Sequence, residues 1–102
     1  MKYNKLIRDK IPEIIKQKGQ TPITHIATDN EYKKKLYEKL IEETDEFIEK
    51  PNIEELADIL EVIYSISELN NIKREELELL RTEKTKKRGS FKNHIILDEV
   101  KD

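Results

Sequence analysis

The chain of 102 residues has no cysteine and no tryptophan, and it contains only two glycines and three prolines. Because cysteine is absent, disulfide bonds, thiolate zinc sites and catalysis by a thiol are all excluded. No apolar run approaches the length of a membrane span, and the first ten residues lack the apolar segment of a secretion signal. These absences predict a cytoplasmic protein with no membrane partner.

Charged residues make up 41% of the chain and hydrophobic residues 35%. This composition is typical of helices that each bury one apolar stripe, with a core that is completed by oligomerisation. Twenty basic and twenty-two acidic residues leave a formal net charge of −2, which argues against a nucleic-acid partner. The length suits one domain. We therefore predict a single, mainly all-α domain over residues 1–102, as a homodimer or homotetramer.

Local signals predict three helices in the first seventy residues. A short helix within "DKIPEIIKQKG" has Pro12 in its first turn and Gly19 just past its end. Thr28 and Glu31 have the spacing of a capping box and open a helix over about residues 29–49. Pro51 breaks that helix, and Asn52 can cap the next one, over about residues 53–70.

The two ends of the chain differ from this helical middle. Residues 1–10 form a basic arm, and a further helix over about residues 73–87 ends at Gly89, before a tail over residues 89–102. The β-branched segments 22–27 and 94–98 are candidates for the strands of a short β-hairpin. The predicted architecture is an antiparallel helical bundle with this hairpin as a minor addition.

Each of the two long middle helices has an apolar face at helical spacing. We expect the first of them to bury Leu36, Tyr37, Leu40, Ile41, Thr44, Phe47 and Ile48, and the second to bury Leu56, Ile59, Leu60, Val62, Ile63, Ile66 and Leu69. Glu55 falls inside the second apolar arc, and Asp58 lies at its edge. A carboxylate directed towards a core must be paired, protonated or bound to a cation.

The segment "LIEETDEFIEKPNIEELADIL" is unusually acidic on both sides of its proline. Glu46 lies five residues before Pro51 and Glu55 four after it, while Glu43 lies eight before and Asp58 seven after. In an antiparallel hairpin, with about 1.5 Å of rise per residue, these pairs stand at matching heights. The four carboxylates Glu43, Glu46, Glu55 and Asp58 are therefore predicted to converge.

A divalent cation would offset the repulsion within such a group. Oxygen ligands without histidine or cysteine favour Mg²⁺ or Mn²⁺. The competing interpretation is that the acids form a solvated face, with Glu55 serving the helix dipole or the Asn52 cap. The matched heights favour the metal site.

"EETDE" (Glu42 to Glu46) followed by "ELAD" (Glu55 to Asp58) resembles the EExxE…ExxD motif of MazG-type all-α nucleotide pyrophosphohydrolases. "YNKLIRDKIPEII" and "KKRGSFKNHIIL" are similar to a short, single-domain branch called phosphoribosyl-ATP pyrophosphohydrolase-like. The resemblance covers nearly the whole chain. Two departures are the short spacing between Glu46 and Glu55, and "RGSF", where a second glycine would be expected.

The resemblance implies Mg²⁺-dependent hydrolysis of a nucleoside triphosphate, or a related nucleotide, to the monophosphate and pyrophosphate. By position, it implies Glu43, Glu46, Glu55 and Asp58 as metal ligands, and Glu42 with Glu43 as the catalytic carboxylates. Basic groups must hold the polyphosphate. The candidates are Lys39, three residues of the arm and three of the last helix: Lys5, Arg8, Lys10, Lys84, Lys87 and Arg88.

Two alternatives remain open at the level of sequence. In the first, the substrate is phosphoribosyl-ATP, in histidine biosynthesis. In the second, the chain is a non-enzymatic helical oligomerisation or adaptor module whose acidic patch binds a basic partner.

Overall fold

The structure is a computed structural model and describes residues 2–102. Four helices follow in order: α1 (Ile11–Gln17), α2 (Asp29–Glu49), α3 (Ile53–Leu69) and α4 (Arg74–Arg88). No residue from 2 to 102 lies in a strand, which confirms the all-α prediction. None of these helices combines the length and apolar content needed to cross a membrane. The chain divides into two compact units, Met1–Asn71 and Ile72–Asp102.

In the first unit, α2 and α3 pack against each other as a hairpin joined at Lys50, Pro51 and Asn52. Both helices begin at the predicted caps. The Thr28 hydroxyl accepts a hydrogen bond from the Glu31 N–H at 3.3 Å. The short, capped connection fixes which turns of α2 face which turns of α3.

The buried part of this hairpin is small. Among the described residues, Leu36 on α2 and Val62 on α3 are the buried hydrophobic side chains, at 2% and 8% exposed. Two polar residues, Glu43 and Ser67, are buried beside them. Two helices can cover only one stripe of each other, so most of each apolar face remains accessible.

The predicted apolar faces are therefore only partly buried. Leu40, Thr44 and Phe47 are half-buried, as are Ile59, Ile63, Ile66 and Leu69. The prediction of burial is wrong for five exposed residues, because no second layer of this chain's first unit covers the outer margins of the stripe: Tyr37, Ile41, Ile48, Leu56 and Leu60.

The N-terminal arm, residues 2–10, has no helix or strand and lies against the hairpin. Lys35 Nζ, on α2, donates a hydrogen bond to the carbonyl oxygen of Asn4 at 2.9 Å. Leu6 and Ile7 are half-buried. Helix α1 follows with Pro12 near its start, and Gly19 just beyond its end has φ +79°, the left-handed backbone that glycine tolerates best.

The second unit contains α4 and the tail. The first turn of α4 carries Glu75 and Glu76, and its last turn carries Lys86, Lys87 and Arg88. The charges at both ends of α4 therefore complement the helix dipole. Gly89, at φ +84°, ends the helix as predicted.

The prediction of a β-hairpin from segments 22–27 and 94–98 is wrong, because neither segment is a strand. Ile23 and Ile26 are each 97% exposed, and Ile95 is 82% exposed. A two-stranded ribbon needs another element to cover one face before it is stable. The β-branched side chains of these segments have no such cover, so their alternation does not produce a ladder.

Candidate functional site

Three carboxylates converge between α2 and α3. Glu43 of α2 and Glu55 and Asp58 of α3 each offer one oxygen, and these oxygens all lie within 4.8 Å of one another. We call these three residues the carboxylate cluster. The short connection at Pro51 sets this register, since it places the eighth residue before the proline opposite the fourth and seventh after it.

Glu43 is the most deeply placed member of the cluster. It is 6% exposed, and its Oε1 lies 3.3 Å from Lys39 Nζ, one turn earlier on α2. Its Oε2 is buried and has no hydrogen-bond partner, and the same is true of Glu55 Oε2. A buried carboxylate oxygen without a donor is costly, so this pair of oxygens calls for a ligand or a proton.

The electrostatics of Glu43 follow from this position. Burial raises the pKa of the Glu43 carboxyl above its ordinary value, and the charges of Glu46 and Asp58 add to the rise. The Lys39 ammonium opposes it through its hydrogen bond and its charge. Desolvation is the largest of these effects, so the folded protein disfavours the ionised form unless more positive charge is supplied.

Glu55 combines two roles that the sequence presented as alternatives. Its backbone N–H donates to Asn52 Oδ1 at 2.9 Å, which confirms the predicted cap of α3. Its side chain nevertheless enters the carboxylate cluster and leaves Oε2 buried without a donor. The cap therefore explains where α3 begins, and it does not account for the Glu55 carboxylate.

Glu42 lies between two ammonium groups. Its Oε1 is 3.6 Å from Lys39 Nζ and 3.8 Å from Lys5 Nζ. Lys39 thus bridges Glu42 and Glu43, as an ion-pair partner on the glutamate side of α2. Its side chain is only 17% exposed, so its charge is less screened than that of a surface lysine.

Asp58 is held by the N-terminal arm. Arg8 Nη2 donates a hydrogen bond to Asp58 Oδ1 at 2.7 Å. The sequence marked Arg8 only as a phosphate contact, and it contains no signal for this pairing, because the two residues are 50 positions apart.

Glu46, the fourth predicted ligand, is exposed and is not a member of the carboxylate cluster. It lines a shallow depression on the outer side of α2 with Glu38, Ile41, Glu42, Asp45 and Glu49. The negative charge of Glu46 nevertheless acts on Glu43 and contributes to the rise in the pKa of the Glu43 carboxyl. Glu46 is therefore placed next to the cluster and not inside it.

The remaining predicted substrate contacts are exposed. Lys10 precedes the first turn of α1 in the first unit, while Lys84, Lys87 and Arg88 lie on α4 in the second unit. Their part in the site stays a prediction.

The chain matches no known protein-family model, no characterised protein and no solved structure. The resemblance to the MazG-type enzymes therefore rests on the motifs in the sequence alone.

Proposed function

We propose that the chain is a Mg²⁺-dependent nucleotide pyrophosphohydrolase related to the MazG-type enzymes, with the carboxylate cluster as its metal site. One observation carries the proposal. Glu43 Oε2 and Glu55 Oε2, contributed by two different helices, are both buried without a donor beside a third carboxylate. A helical hairpin would be more stable with apolar residues at these positions, unless the site binds a cation.

The residues present fit such a cation. The cluster supplies only carboxylate oxygens, the ligands that Mg²⁺ and Mn²⁺ prefer. Glu43, Glu55 and Asp58 would hold the ion, and the Glu46 charge, which acts on Glu43, would add to the attraction for a cation. A bound Mg²⁺ would neutralise charge on the phosphate oxygens and acidify a water molecule.

Glu42 is the residue best placed to take a proton. It lies next to the cluster in sequence, and its side chain is 33% exposed, which leaves it accessible to a water molecule. In the proposed reaction the water oxygen bonds to the α-phosphorus, the α–β anhydride bond breaks, and pyrophosphate leaves. Glu42 accepts the proton of the water molecule, while Glu43, as a ligand of the ion, would help to fix the ion's position.

Carboxylates repel a polyphosphate, so cationic side chains must bind it. Lys39 and Lys5 already lie beside Glu42, at the edge of the cluster. Arg8 lies beside Asp58, and Lys10 belongs to the same arm.

The test is pyrophosphate release from a panel of nucleoside triphosphates and phosphoribosyl-ATP, with and without Mg²⁺. We expect Glu55→Gln and Asp58→Asn to lower Mn²⁺ affinity and kcat/KM by at least about tenfold, since metal sites lose that much even through outer-shell changes. Glu54→Gln is the matched control, because Glu54 is the exposed neighbour of Glu55 in the same first turn. Glu46→Gln should have a smaller effect than Glu55→Gln.

Full activity and metal binding in Glu55→Gln and Asp58→Asn would rule out this site. The adaptor interpretation would then be favoured, and it has one observation behind it: a basic residue, Arg8, already binds the acidic cluster. The same panel decides between a nucleoside triphosphate and phosphoribosyl-ATP as substrate.

A further inference from the structure

The N-terminal arm is fastened across both helices of the hairpin by polar contacts. Two of these contacts are to α2 and one is to α3: Asn4 O with Lys35 Nζ at 2.9 Å, Lys5 Nζ with Glu42 Oε1 at 3.8 Å, and Arg8 Nη2 with Asp58 Oδ1 at 2.7 Å. The arm therefore spans the hairpin at the level of the carboxylate cluster.

The last of these contacts uses a cluster residue. Asp58 contributes one of the three converging oxygens, and its Oδ1 accepts a charge-assisted hydrogen bond from Arg8. A divalent cation held by Glu43, Glu55 and Asp58 would bring two positive charges close to the guanidinium. The two cations would repel each other at a separation shorter than the Debye length, where screening by salt is weak. Arg8 and the metal ion therefore place conflicting demands on Asp58.

The Arg8 contact is also easy to release. The Arg8 side chain is 57% exposed and that of Asp58 is 38% exposed, and ion pairs with such access to water are weak. Residues 2–8 belong to no helix, so moving Arg8 breaks no helical hydrogen bond. The hydrogen bond from Lys35 Nζ to the Asn4 carbonyl oxygen does not involve Arg8, so it can hold the arm on α2 while Arg8 changes partner.

We propose that Arg8 and the divalent cation compete for Asp58, and that the displaced guanidinium then binds a phosphate of the nucleotide. This inference rests on the proposed function, since it assumes a metal site in the carboxylate cluster. It makes Arg8 a coupling residue: metal binding releases the group that helps to hold the substrate. Metal and nucleotide then bind cooperatively through the arm.

The test separates metal binding from substrate binding in the full-length chain. Mn²⁺ alone is titrated into wild type, Arg8→Ala and Arg8→Lys at fixed ionic strength, and the free ion is measured by electron paramagnetic resonance. We expect Arg8→Ala to bind Mn²⁺ about two- to tenfold more tightly, because its competitor is gone. Arg8→Lys, which keeps the charge without the planar fork, should lie between them.

Two controls make the result specific. Lys2→Ala removes a positive charge from the same arm, at a residue that forms no ion pair within residues 2–102, and it should leave Mn²⁺ affinity unchanged. In an Asp58→Asn background, Arg8→Ala should no longer tighten Mn²⁺ binding, because the shared carboxylate is lost.

With nucleotide present, Arg8→Ala should raise the KM for the nucleotide several-fold while it tightens Mn²⁺ binding. The substitution therefore has opposite effects on substrate binding and on metal binding.

The outcomes distinguish this inference from the proposed function. If wild type binds Mn²⁺ and Arg8→Ala binds it equally or more weakly, the competition is wrong and the metal site stands. If Arg8→Ala tightens Mn²⁺ binding without raising KM, the transfer of Arg8 to the substrate is wrong. If neither protein binds Mn²⁺, the metal site itself is wrong, and this inference fails with it.

Discussion

Only one of the two carboxylate oxygens of Glu43 has a positively charged partner. Lys39 satisfies one carboxylate oxygen, and the other is buried without a donor, next to two further acids. Desolvation outweighs the lysine, and the pKa of Glu43 is raised. At neutral pH this residue therefore costs folding free energy that bound positive charge would recover.

We predict that Glu43→Gln stabilises the metal-free protein at neutral pH, because the neutral amide carries no charge that burial must desolvate. Because the folded state binds the Glu43 proton more tightly than the unfolded chain, wild-type stability falls as the pH rises through the ordinary glutamate pKa, and levels off above the raised one. The advantage of Glu43→Gln should thus be lost at about pH 4. Thermal melts across this range measure it.

The matched control is Asp45→Asn, an exposed carboxylate two residues further along the same helix, which should change stability little. Saturating Mg²⁺ should reverse the order, because the wild type gains binding energy that Glu43→Gln lacks. If Glu43→Gln stabilised the protein more at low pH than at neutral pH, the conclusion that the buried Glu43 charge destabilises the fold would be wrong.

At the level of the elements, the α2–α3 hairpin is the part that creates the site. Each of its two helices begins with a side-chain N-cap, and in an antiparallel hairpin these two caps lie at opposite ends. Asn52 caps α3 three residues before Glu55, whereas Thr28 caps α2 fifteen residues before Glu43. Only the first of these caps lies close to the carboxylate cluster in sequence.

We predict that Asn52→Ala lowers the free energy of unfolding by about 1 kcal/mol, the usual cost of losing an N-cap. It should also weaken Mn²⁺ binding, because fraying of the first turn of α3 displaces Glu55. Thr28→Ala removes a cap of the same kind and should lower stability without changing Mn²⁺ affinity. Denaturant unfolding and Mn²⁺ titration of both variants check this. Equal effects on Mn²⁺ affinity would show that the Asn52 cap does not position the cluster.

On the scale of the whole molecule, the chain buries little apolar surface. Leu36 and Val62 are the buried hydrophobic residues of the described part, while Ile41, Ile48 and Leu60 remain 46–69% exposed on the hairpin. Domains with so small a core are marginally stable on their own. The oligomer stays a prediction, and its physical reason is that a second copy would cover the exposed apolar stripe.

We predict that the wild type sediments as a dimer or larger species, and that its melting temperature rises with protein concentration, as expected when folding and association are linked. Leu60→Ser should shift the protein towards the monomer, because it removes apolar area from α3. Ile23→Ser, at a residue that is 97% exposed outside the helices, is the control and should not. A wild-type monomer with a concentration-independent melting temperature would contradict the prediction.

Much of the helical architecture follows from the sequence, because its signals are local. The caps at Thr28 and Asn52, the break at Pro51 and the stop at Gly89 each depend on a few neighbouring residues. The spacing of the acids around Pro51 predicted the convergence of Glu43, Glu55 and Asp58, but it wrongly included Glu46. The β-hairpin failed because strands depend on distant partners, which a local alternation of side chains cannot supply.

The tertiary structure alone decided what happens to each carboxylate once the helices meet. Sequence periodicity gives a direction around a helix, but it does not show which of those directions the facing helix covers. Glu43 is covered while Glu46, one turn later, stays exposed. The pairing of Arg8 with Asp58 joins residues 50 positions apart, and only the path of the arm over the hairpin creates it. The sequence determined which acids the hairpin carries, and packing determined which of them lack a partner.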